Sequence, residues 1–152
     1  MGYLANVNVI RDKLYDLIEV AGIKNISGFG VTMYKRALPD NIDKNSCPFI
    51  SVFKDNCAGN SIGTDQADVE LPQRVNLIID ICDGSAVDVN QAEVLTDDLS
   101  EQVIAALETN VALDGTVKGM EIPKIEFDQD RNSGVFFSVV RFFLELQGTN
   151  LI

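Results

Sequence analysis

Histidine is absent from this chain of 152 residues, and cysteine occurs only three times. Without an imidazole there is no Ser-His-Asp or Cys-His catalysis, no helical zinc-protease motif and almost no route to a His-ligated metal. Cys47, Cys57 and Cys82 form no Cys-x-x-Cys pair. Their odd number points to reduced thiols in a chain that is not exported, packed as small apolar side chains. No run of about 18 uncharged apolar residues is present, so no membrane partner is expected. The opening MGYLANVNVIRDK lacks the basic-then-apolar layout of a secretory leader, and a soluble chain is expected. Repeats and low-complexity tracts are also missing.

Basic charge is in short supply: 12 Lys and Arg stand against 23 Asp and Glu, for a net −11. The imbalance is uneven. Residues 1–54 carry seven basic and five acidic groups (+2), whereas residues 55–152 carry five basic and eighteen acidic (−13). Residues 83–110 hold seven acids and no Lys or Arg. Such a segment repels a phosphate backbone, which disfavours sequence-independent nucleic-acid binding, and its plain reading is a solvated helix face.

What is present is apolar patterning. With 46% hydrophobic residues the chain has enough for one domain, residues 1–152, with a real core. Val7, Ile10, Leu14, Leu17, Ile18 and Ala21 recur at spacings of three and four and predict an amino-terminal helix, with Asn6 or Asn8 as its cap and Gly22 as its end. Residues 29–36 and 49–54 read as short strands around a bend at Pro39, Asp40, Asn41 and Pro48. Residues 55–68, with Gly59, Asn60 and Gly63, read as a loop longer than usual connections. Residues 69–82 alternate as a half-buried strand, with Pro72 suiting an edge or an entry position. A second helix is expected near residues 88–109, with Ala92, Leu95, Leu99, Val103, Ala106 and Leu107 inward and Asn90 as cap.

The last third predicts a hairpin, strands 116–127 and 135–147 around a turn at 128–134, with Pro123 breaking the ladder or marking a bulge. In its second strand Phe136, Val140, Phe142, Leu144 and Leu146 share one parity, and Val135, Phe137, Val139 and Phe143 the other. Both faces then need cover. Helices bury the first set; an adjoining subunit is a natural cover for the second. Arg141, a lone charge among apolar neighbours, suggests an ionic partner, or else an exposed strand end. The fold class expected is α+β: a single mixed or antiparallel sheet of about four to six strands, two main helices packed on it and a C-terminal hairpin.

Chemical motifs are few. Asp128, Asp130 and Asn132 have the opening spacing of a calcium loop, but Ser133 stands where glycine is needed and Val139 where a bidentate Glu is needed. Gly59-Asn60-Ser61-Ile62-Gly63 lacks the Lys-Ser/Thr ending of a phosphate loop. Asp97 and Asp98 are adjacent on a helix and diverge by about 100°, so they do not converge on a substrate. Phe136, Phe137, Phe142 and Phe143 lack the surrounding Lys and Arg of a base-stacking platform. No enzyme activity, cofactor or metal is expected.

Several passages carry a resemblance: Ile10-Arg11-Asp12-Lys13-Leu14 through Ile18; Cys47-Pro48-Phe49-Ile50-Ser51-Val52-Phe53; Val103-Ile104-Ala105-Ala106-Leu107 leading into Asn110-Val111-Ala112-Leu113-Asp114-Gly115-Thr116-Val117; and the closing Ser138-Val139-Val140-Arg141-Phe142-Phe143-Leu144-Glu145-Leu146. In these and in the order of its elements the chain resembles the tail-terminator, or tail-completion, proteins of long-tailed bacteriophages. The resemblance implies a structural virion protein, present in the host cytoplasm during assembly. Its partners would be copies of itself in a ring, typically six; the tail tube protein, whose polymerisation it ends; and the head-tail connector protein at the neck. DNA would pass without specific binding. On this reading Asn60 and Ile62 of the long loop and Phe137, Val139, Arg141 and Phe143 of the last strand are the expected subunit interface. Asp97, Asp98 and Glu101 are the expected lumen charges. Another neck or tail component, such as a connector or tube-like protein, is the nearest alternative. A small-molecule-binding or enzymatic domain using Cys82 or the carboxylates, and an adaptor that extends its sheet through the final strand, are alternatives of other classes.

Overall fold

A computed structural model describes residues 3–37, 44–55, 73–132 and 134–148. They form α1 (Tyr3–Val20), β1 (Thr32–Tyr34), a 3₁₀ turn (Lys44–Ser46), β2 (Phe49–Lys54), β3 (Gln73–Ser85), α2 (Val89–Glu108), β4 (Val117–Asn132) and β5 (Val135–Gly148). The fold is α+β, as the patterning implies. One five-stranded sheet has the order β1-β2-β3-β5-β4; β1 is parallel to β2 and every other neighbouring pair is antiparallel, which makes the sheet mixed. The last two strands are the expected hairpin.

Both helices lie on the same face of the sheet. Val7, Ile10, Leu14 and Ile18 of α1 pack with Leu99, Val103 and Leu107 of α2 onto Ile50, Val52, Val75, Leu77, Ile79, Ile81, Val140, Phe142, Leu144 and Leu146. Truncating one such side chain, as in Leu14→Ala, costs about 2–5 kcal/mol through lost burial and the cavity left behind. α1 starts ahead of both Asn6 and Asn8, so neither is its cap; Asn8 Oδ1 is left without a hydrogen bond. The helix ends at Gly22, whose φ of +62° costs a glycine nothing and whose N–H donates to the Glu19 carbonyl.

Only Thr32–Tyr34 of the expected 29–36 strand is extended as a strand. The residues before it are held in a tight loop instead: Lys24 bridges Gly30, the Asn25 N–H donates to the Phe29 carbonyl, and Asn25 Oδ1 accepts from the Phe29 N–H. The other end of the same Asn25 amide donates to Asp83 Oδ2 at 3.0 Å, which ties this loop to β3. β3 itself is not an edge or half-buried strand. It lies between β2 and β5, buries Val75, Leu77, Ile79 and Ile81 under the helices and Ile78, Asp80 and Cys82 on the other face, and runs through Asp83-Gly84 to Ser85 without turning. Residues 69–72, Pro72 among them, lie outside the described residues.

α2 is capped by Asp88, not Asn90: Asp88 Oδ1 accepts from the Gln91 N–H at 2.7 Å. After Thr109 the chain turns through Leu113, Asp114 and Gly115, all at positive φ, while Asn110 holds Asp114 by two hydrogen bonds of 3.0 Å. Leu113 and Val117 drop into the core on either side of Gly115. The hairpin turn is much tighter than expected. β4 continues to Asn132 and pairs with β5 without a break from Lys124 onward, so Asp128, Gln129 and Asp130 are strand residues, and Gly134 with φ +79° makes the reversal. The register slips between Glu121 and Lys124, around Pro123, which is the expected irregularity.

Candidate functional site

The face of the sheet turned away from the helices carries most of the residues singled out in the last strand. Directly paired residues share a face, so the registers place Phe49, Ser51 and Phe53 of β2, Ile78, Asp80, Cys82 and Gly84 of β3, Phe137, Val139, Arg141 and Phe143 of β5, and Lys124, Glu126, Asp128 and Asp130 of β4 together on it. Arg141 sits in a row that crosses four strands, Ser51-Asp80-Arg141-Glu126. Its guanidinium makes a forked pair with Asp80, Nε to Oδ1 at 2.7 Å and Nη2 to Oδ2 at 2.8 Å, and lies 5.9 Å from the centre of the Phe53 ring. The hydrogen bonds to Asp80 push the Arg141 pKa up against the opposing effect of burial, with Glu126 and Asp55 adding to the rise. The ionic partner expected for Arg141 is therefore in the same chain, on the neighbouring strand.

Phe137 also departs from its expected role. It is 1% exposed, and what covers it is its own chain: Phe49 and Cys82 pack directly against it, with Tyr34, Cys47, Val135 and Val139 around them. This second, smaller core joins the entry of β2, through Cys47 and Phe49, to β3 and β5. Val139 and Phe143 remain half-buried, and Lys124 Nζ lies 5.1 Å from the Phe143 ring centre. Asn60 and Ile62, with the rest of residues 56–72, lie outside the described residues.

A different surface is left apolar and open. β4 is an edge strand, and Ile125 and Phe127 point to the helix side of the sheet, opposite Phe142 and Val140. Neither helix reaches far enough to bury them: Ile125 is 41% and Phe127 73% exposed, and α2 touches this strand through a Glu93–Gln129 side-chain hydrogen bond. The alternation of Ile125 and Phe127 with Glu126 and Asp128 is visible in the sequence, but it signals a covered strand face and gives no sign that the cover runs out one strand short.

The acidic candidates divide. Asp97 and Glu101 are exposed one helical turn apart on the outer side of α2. Asp98 is half-buried and accepts from Gln102 Nε2, one turn on, at 2.9 Å; the same amide donates to the Lys24 carbonyl in the loop after α1 at 2.7 Å. Asp128, Asp130 and Asn132 alternate along a strand, roughly 6.8 Å apart, and do not converge on an ion. Among the described residues no group of three potential ligands is placed to hold a metal, and no helix is long and apolar enough to cross a membrane.

No protein-family model matches the chain, and no curated protein matches it. A depression of about 140 Å³ between β4 and β5, lined by Lys118, Gly119, Met120, Glu121, Glu145 and Gln147, is small beside the roughly 300–1,000 Å³ of ordinary ligand sites. The surfaces that stand out physically are thus the forked ion pair on the outer face and the uncovered apolar side of β4. The first is satisfied within the chain. The second is not.

Proposed function

We propose that this chain is a structural virion protein of the tail-terminator kind: a subunit of a closed ring, six copies by resemblance, that caps the tail tube, ends its polymerisation and joins it to the head-side connector. The observation that carries the reading is Phe127, 73% exposed beside Ile125 on a 16-residue edge strand. A long edge strand with an apolar side is a surface for another chain. The sheet's two edges are unlike. The β1 edge is three residues long, is followed by exposed Lys35 and Arg36 and is preceded by exposed Ile26 and Phe29; the β4 edge is long and carries both signs, Lys118, Lys124 and Arg131 beside Glu121, Glu126, Asp128 and Asp130. Edges so unlike in length favour head-to-tail contact, the kind of interface that closes a ring. The order of elements, helix, short strands, central strand, helix and hairpin, is the order the family resemblance implies.

Native mass spectrometry and negative-stain imaging, with and without added tail tubes, test this reading. Wild type is expected to give rings with a central hole, and Phe127→Glu to give monomers of unchanged circular dichroism. Equal association of both proteins, or a wild type that stays monomeric even on tubes, overturns it. Particles lacking the protein distinguish the neighbouring role: tails of uncontrolled length mark a terminator, whereas unjoined tails of normal length mark a connector.

A further inference from the structure

The small outer core contains two thiols, Cys47 and Cys82. Cys82 is fully buried toward the end of β3, paired in register with Phe49 on β2 and Val139 on β5. Cys47 enters β2 two residues ahead of Phe49 and packs into the same cluster as Cys82, Phe49 and Phe137. The neighbouring Cys47 thiol is also what most raises the Cys82 thiol, through a side-chain hydrogen bond. Cys47 is half-buried, so one member of the pair is open to a reagent and the other is not. We propose that Cys47 and Cys82 form a thiol-oxidation site: a low-molecular-weight disulfide converts them into an intramolecular disulfide that fastens the entry of β2 to the last residues of β3.

The exchange has two steps. The Cys47 thiolate attacks one sulfur of the small disulfide, breaks its S–S bond and expels one small thiolate, which takes up a proton; Cys47 is left as a mixed disulfide. The Cys82 thiol then loses its proton to solvent and attacks the Cys47 sulfur, expelling the second small thiol. Two protein thiols are oxidised, and one small disulfide is reduced to two thiols. In the reduced protein contact with Cys47 and burial both raise the Cys82 thiol; the first cause ends once Cys47 carries the mixed disulfide, and burial remains to make the second step the slow one, quickened by alkali. The cross-link closes the chain between residues 47 and 82, which removes freedom from the unfolded state and stabilises the fold.

The test uses the full chain with Cys57→Ser, so that only this pair remains, incubated with oxidised glutathione. The expected product has lost two hydrogens by intact mass, gives a Cys47–Cys82 peptide on non-reducing digestion, and unfolds at a temperature several degrees higher, an increase that dithiothreitol abolishes. Cys47→Ser in the same background is expected to give none of these while keeping its circular dichroism. Glutathione retained on Cys47 with Cys82 still alkylatable after denaturation overturns the proposal, as do two free thiols. Should Cys57→Ser fail to fold, the same digestion of wild type decides: a 47–82 linkage supports the proposal, and linkages only to Cys57 overturn it.

Discussion

Asp80 has no exposed surface, and Arg141 is the cation that makes its burial tolerable. A carboxylate at the centre of a sheet is costly unless it is paired and fully hydrogen-bonded, and the guanidinium fork meets both carboxylate oxygens at once. Arg141→Ala is therefore expected to destabilise the fold by roughly 3 kcal/mol, the low end for a buried pair because the Arg141 side chain is 38% exposed. Asp80→Asn leaves an arginine that can still reach water and is expected to cost clearly less. Urea denaturation of the two variants checks the asymmetry; equal losses would mean that the pair is not what holds Asp80. Gly84 obeys a second local constraint: a Cβ there would lie 2.8 Å from the ring of Phe137, which is itself buried between Phe49 and Cys82. Gly84→Ala is expected to lower stability by about 1–3 kcal/mol through overpacking. Restored stability in Gly84→Ala with Phe137→Leu would trace the loss to that contact.

At the scale of elements, the helix stripes and the parity of the strands were legible because burial is periodic. Val7, Ile10, Leu14 and Ile18 could only be one face of a helix, and Phe142, Leu144 and Leu146 one face of a strand. What could not be read is set by surroundings. Asp128, Asp130 and Asn132 have the composition of a turn, yet an exposed hairpin arm needs the same polar residues, and pairing with β5 decides for strand. Likewise both Asp88 and Asn90 are good caps in isolation; the helix takes the one whose backbone is already extended, at φ −162° and ψ 173°. The parity of the last strand was correct, but the cover of Phe137 comes from Tyr34, Cys47 and Phe49, residues far away in sequence, and no local pattern announces such a contact. Asp88→Ala is expected to cost about 1 kcal/mol, and Asn90→Ala nearly nothing. Chemical denaturation of the pair reads the difference; the reverse order would return the cap to Asn90.

For the whole molecule, charge is the property that assembly would use. The exposed outer side of α2 carries Asp97 and Glu101 with no basic residue anywhere in that helix. On the ring reading, this stripe keeps passing DNA from adhering, because an acidic wall neither releases counterions from the duplex nor offers it a partner. Asp98 does not belong to the stripe, since it is engaged with Gln102. Asp97→Lys with Glu101→Lys leaves the core untouched and moves the formal net charge from −11 to −7, each reversal adding two. The double variant is expected to keep its stability and to retain double-stranded DNA at low ionic strength, with retention falling steeply as salt rises. Wild type is expected to retain none under any of these conditions. In assembled particles the same pair of substitutions should slow DNA ejection. Unchanged ejection together with unchanged DNA retention would remove Asp97 and Glu101 from the lumen, and would leave the acidic stripe as a solvated surface on the outside of the ring.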